Sequence, residues 1–118
     1  MSRWLGVFGL ALALCAGGVQ AAGALLSPAG VAYLKAEENR IERQFAARVA
    51  GLAGVSEAVV RKGMPEGPRI TDTGRRVIQA IEQHTGARLS PQVREGIQAA
   101  DDERKAALTR ARESAASR

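Results

Sequence analysis

Twice along this chain the order leucine, serine, proline opens a stretch with apolar residues at helical spacing, and this constrains the fold more than any other feature. In Leu26-Ser27-Pro28 and again in Leu89-Ser90-Pro91, the serine is placed to accept from the unpaired backbone N–H groups that begin a helix. Proline brings a preset φ to the first helical position, where its missing N–H costs nothing. The leucine stands where an apolar staple residue packs back on the helix. After the first start, Leu34, Ile41, Phe45, Val49 and Leu52 recur on one face, which predicts a helix over 28–50. After the second, Val93, Ile97, Ala100, Ala107, Leu108 and Ala111 predict a helix over 91–113. Between Ile97 and Leu108 that stripe contains only alanine. The second half of the helix is therefore expected to be exposed, packed closely on another helix, or frayed toward Arg118.

Two shorter helices fit between these. Gly51 and Gly54 interrupt the first pattern, and Ser56 is a candidate cap for a helix over 56–62. Gly63, followed by Met64 and Pro65, reads as a left-handed helix stop with an apolar contact back to Val59. Two prolines and two glycines fall within Gly63-Met64-Pro65-Glu66-Gly67-Pro68, so this stretch is a loop. Thr71, Asp72 or Thr73 can cap a helix over 73–84, with Val77, Ile78 and Ile81 on its apolar face and Gly86 at its end. No segment alternates in the manner of a strand. The expected fold is all-α, one small domain of four helices.

The amino end has a different composition. After Met1-Ser2-Arg3, the run Trp4 to Ala16 carries no charge; at ~1.5 Å per residue it spans about 20 Å, short of a ~30 Å hydrocarbon core. Small residues follow, and Val19-Gln20-Ala21 places small side chains where signal peptidase reads them. Residues 1–21 are thus expected to be a signal peptide cleaved between Ala21 and Ala22, leaving 22–118 as an exported helical domain, periplasmic or secreted. Leu14 before Cys15 is not the small residue a lipoprotein signal uses. Beyond the signal, no cysteine remains to form a disulfide, and Tyr33 and Phe45 are the only aromatics. The core must be aliphatic, and its small apolar content implies a narrow stability margin or completion by self-association into a homo-oligomer.

Little in the chain suggests catalysis. His84 is the only histidine, and Glu82, two residues away, projects from a different helix face. Serines 27, 56 and 90 read as caps rather than nucleophiles, and no usual set of zinc ligands exists. No enzyme activity, metal or cofactor is expected. Asp101-Asp102-Glu103 lacks the ligand spacing of a calcium loop and stands at pairing distance from Arg104 and Lys105, which reads as surface ion pairing. The chain carries a net charge of +5, and its most basic stretch is Arg61, Lys62, Arg69, Arg75 and Arg76, opposed only by Glu66 and Asp72. This patch is the candidate contact for an anionic partner.

The run Val49-Ala50-Gly51-Leu52-Ala53-Gly54-Val55-Ser56-Glu57-Ala58-Val59-Val60, with Arg69-Ile70-Thr71 and Val77-Ile78-Gln79-Ala80-Ile81-Glu82, resembles the helix-turn-helix of lactose-repressor-type regulators. The resemblance covers residues 46–86 and implies a base-reading helix presenting Glu57, Val59, Arg61 and Lys62. Gly63 and Pro65 stand where that family continues its helix. Leu89-Ser90-Pro91-Gln92-Val93 is also similar to the helix starts of Spy-like periplasmic chaperones, which implies binding of unfolded protein clients. The expected function is that of an exported, non-enzymatic interaction or chaperone-like protein, its partner an unfolded client or an anionic envelope surface. The alternative is a helix-turn-helix DNA-binding protein whose amino end is not a signal; export argues against nucleic acid.

Overall fold

The computed structural model describes residues 25–66 and 72–118. The expected signal peptide and its cleavage point at Ala21 and Ala22 lie outside them, as does Arg69. Among the described residues four helices follow in chain order: α1 Pro28–Ala53, α2 Glu57–Gly63, α3 Thr73–Thr85 and α4 Pro91–Ala116. Among the described residues there is no strand, and the protein is a small all-α domain.

Both leucine-serine-proline starts act as their chemistry requires. Ser27 Oγ accepts from Gly30 N at 3.0 Å, and Ser90 Oγ from Val93 N at 3.2 Å. Ser56 occupies the cap position of α2 in an extended conformation but makes no side-chain cap bond. Gly51 does not break α1, which runs on to Ala53 and ends at Gly54, whose φ of 68° is left-handed and whose N–H bonds to Ala50 O. An interior glycine costs about 0.5–1 kcal/mol relative to alanine, less than the turn recovers by burying Val49 and Ala50. Gly86, at φ 74°, ends α3 in the same way.

The expected stop at Gly63 is not left-handed. Gly63 is the last residue of α2, and Met64 beyond it has φ −84°. Its glycine has a packing role instead: a Cβ there would lie 2.7 Å from Val77 Cα and 2.9 Å from Arg76 O. The absence of a side chain lets α2 rest directly on the backbone of α3.

α1 and α4 run antiparallel along their whole length. Ser27 donates its hydroxyl to Arg118 O at 2.8 Å at one end, and Leu52 lies over Gly96 at the other. Of the three outcomes open to the alanine stretch of α4, close packing is the one found. Ala100, Leu108, Ala111 and Ala115 are buried, and a Cβ on Gly30 would fall 2.5 Å from Ala115 O. Leu52, expected on the buried face, is 41% exposed.

α2 and α3 pack on each other at the end formed by the carboxyl half of α1 and the amino half of α4. Here Phe45, Val49, Val60, Val77, Ile81 and Ile97 form the main core. Beyond it, α1 and α4 continue as a two-helix arm on a thinner cluster of Ile41, Leu108 and Ala111, with Leu34 and Ala107 against it. Side chains such as Ile81, Ile97 and Leu108, fully buried, each contribute roughly 1.5–3 kcal/mol.

Candidate functional site

Burial of Val59 and Val60 sets the rotation of α2 and so decides where the basic residues of the middle segment go. With those valines inward, Arg61 and Lys62 diverge by about 100° and border different hollows. Arg61 turns back along its own helix to Glu57, at 3.3 Å, and borders a hollow of ≈ 330 Å³ that it shares with Glu38, Glu42 and Glu66. Lys62 points toward α3.

On α3, with Val77, Ile78 and Ile81 buried, Arg75 and Arg76 sit about 100° apart on the exposed side and border different hollows. Arg75 is exposed, lies 3.9 Å from Asp72, and borders a different hollow with Arg94, Glu95 and Asp102. Arg76 comes to the side of Lys62. The described part of the patch is therefore split over three surfaces, and of Arg61, Lys62, Arg75 and Arg76 only Lys62 and Arg76 are brought together.

Those two line a concavity of ≈ 490 Å³ with Gln79, Gln83 and Glu66, floored by Gly63 and Ala80. Arg76, Gln79 and Gln83 occupy one exposed face of α3 at spacings of three and four. The close approach at Gly63 brings the end of α2, with Lys62, over this face. Among the described residues neither Lys62 nor Arg76 forms an ion pair or a side-chain hydrogen bond. The site thus offers two cations and two amides to a small anionic group, with Glu66 at its edge.

A buried polar network positions α3 and hence Arg76. Asp101 and Arg104, expected to form surface pairs, are 0% and 2% exposed. Arg104 Nε donates to Asp101 Oδ1 at 2.9 Å, Nη1 to Glu42 Oε1 at 3.1 Å and Nη2 to Thr73 Oγ1 at 2.9 Å. Its guanidinium lies 5.6 Å from the centre of the Phe45 ring. One side chain thus joins α1, α3 and α4. Asp101 Oδ2 accepts from Gly74 N at 3.0 Å, in the role expected of Thr71, Asp72 or Thr73; Asp72 occupies the cap position without a side-chain bond. Lys105, at 3.6 Å from Asp101, adds a second cation to it. Burial raises the carboxyl pKa of Glu42, and the attraction of Arg104 opposes but does not cancel that.

His84 is exposed at the end of α3, and among the described residues no group of three or more His, Cys, Asp and Glu side chains is arranged to hold a metal. No helix among them is long and apolar enough to cross a membrane. No family model, curated protein or solved structure matches the chain. The helix-turn-helix resemblance thus rests on its own residues. Of the four it assigns to base reading, Val59 is in the core and Arg61 is tied to Glu57.

Proposed function

We propose that this chain is an exported, non-enzymatic interaction protein that docks on an anionic envelope surface through Lys62 and Arg76. The observation that carries this reading is the convergence of those two cations, from different helices, on one concavity, with neither ion-paired to a carboxylate among the described residues. Exposed ion pairs contribute little to folding. Cations left without such partners retain their attraction for outside anions, at about 1 kcal/mol each near an anionic membrane surface. The amides of Gln79 and Gln83 supply donors at the same place, suited to a phosphate or carboxylate headgroup.

Export is the other half of the proposal and rests on the amino-terminal sequence. Fractionating cells that express a tagged full-length chain tests it, together with amino-terminal sequencing of the recovered protein. The expected product is exported and begins at Ala22. A chain retained in the cytosol with residues 1–21 intact would overturn this half, and a product beginning at an acylated Cys15 would replace peptidase cleavage with lipid anchoring.

A further inference from the structure

We infer that the furrow between α1 and α4, on a surface separate from Lys62 and Arg76, binds a short polypeptide segment that combines an acidic with an apolar side chain. The furrow has a volume of ≈ 490 Å³. Ile41, Phe45, Ala100 and Ala107 form its floor, and Arg40, Gln44 and Arg48 of α1 face Glu103 and Arg110 of α4 across it. From Arg40 to Arg48 the helix rises about 12 Å, the reach of a few extended residues.

The two ends of the furrow differ in charge. At one, Arg48 and Glu103 meet at 2.6 Å from opposite walls and close it with a neutralised pair. At the other, Arg110 is exposed and has no ion-pair partner among the described residues. Arg40 at this end is held by Glu37 at 2.6 Å and by Gln44 Oε1 at 3.0 Å. A guanidinium fixed in this way loses less freedom when a ligand carboxylate arrives. Arg110 supplies the uncompensated charge. The occupant therefore presents its anion at the Arg40 and Arg110 end and its apolar group over Ala107 and Phe45. The Gln44 amide N–H can donate to a peptide C=O, and the Glu103 carboxylate can accept from a peptide N–H. An acyl chain would make no use of those groups.

The test is binding of a short labelled peptide patterned with leucine and glutamate to the exported chain, followed by fluorescence anisotropy at low salt. Two control peptides replace glutamate by lysine or leucine by serine. Ala106→Trp fills the furrow from an exposed position, and Arg110→Gln removes the open charge. Circular dichroism checks that both variants keep their helices. Binding should weaken about tenfold for the lysine control and for Arg110→Gln, the expected scale for losing one hydrogen bond to a charged group, and about tenfold or more for the serine control and for Ala106→Trp, the scale of losing the burial of one apolar side chain; Lys62→Gln/Arg76→Gln should leave it unchanged. Equal binding of the lysine peptide, or indifference to both furrow variants, would overturn the inference. So would displacement of the peptide by phosphatidylglycerol vesicles, or a dimer that Ala106→Trp abolishes, because either would assign the furrow to another occupant. Because the surfaces are separate, vesicle binding lost in Lys62→Gln/Arg76→Gln alone would leave the docking proposal intact whatever the peptide does.

Discussion

Asp101 on α4 accepts a hydrogen bond from the backbone N–H of Gly74 at 3.0 Å, so the amino end of α3 is capped by a side chain 27 residues away. The same carboxylate holds Arg104 through its other oxygen. Both residues are buried. Asp101→Ala should therefore destabilise the fold by about 3–5 kcal/mol, because it removes one of two carboxylates facing a buried guanidinium and leaves the buried Gly74 N–H without its acceptor. The double variant Asp101→Leu/Arg104→Met should be less destabilised than Asp101→Ala alone. Urea unfolding of the three proteins checks this ordering.

Acid should act on Glu42 in an unusual direction. Its carboxyl pKa is raised above its ordinary value of 4.5 by burial. Just above that value the folded chain holds this proton more tightly than the unfolded chain does, and stability from this group falls as pH rises through the folded pKa. Glu42→Gln keeps an acceptor for Arg104 and removes the titration. Melting temperatures measured upward from about pH 4.5 should show the variant gaining on the parent as pH rises. Parallel curves would mean that Arg104 fully compensates the burial.

Two glycines of α1 should respond to alanine with opposite sign. Gly51 has nothing within 4 Å of a Cβ built on it, and Gly51→Ala should stabilise by about 0.4–1 kcal/mol. Gly30→Ala would bring a methyl to 2.5 Å from Ala115 O and should cost roughly 1–3 kcal/mol by overpacking. Thermal melts of both variants test whether α1 and α4 meet as closely as described along the arm.

Leu108 is fully buried within the thin cluster of the arm. Leu108→Ala should cost about 2–5 kcal/mol, and amide exchange should accelerate first in residues 28–40 and 105–116. Uniform acceleration across the chain would indicate that arm and body unfold as one unit.

Local chemistry explains why the helices could be read from the sequence. Serine caps, prolines at the first turn and left-handed glycines act within a few residues, and at Ser27, Ser90, Gly54 and Gly86 they act as such residues do elsewhere. The role of Gly63 was hidden because its closest neighbours, Arg76 and Val77, belong to another helix. Asp101 and Arg104 look like surface charges in the sequence for the same reason: their spacing fits an exposed pair, and only the packing of α1 and α3 over α4 buries them. The basic patch was legible as composition. Its division over three surfaces was not, since it depends on which faces of α2 and α3 the valines and isoleucines turn inward. Arg76, Gln79 and Gln83 did carry a usable signal, a polar face at helical spacing opposite Val77 and Ile81.

The central claim is that Lys62 and Arg76 act together on an anionic surface, and binding to phosphatidylglycerol vesicles over a range of salt tests it most directly. Lys62→Gln/Arg76→Gln is compared with Arg43→Gln/Arg112→Gln, an equal loss of charge from exposed positions on α1 and α4. At about 1 kcal/mol per cation, the first pair should weaken binding about thirtyfold and flatten its salt dependence, whereas the second should weaken it much less. Equal losses from both pairs, or no binding by the parent protein at low salt, would contradict the account.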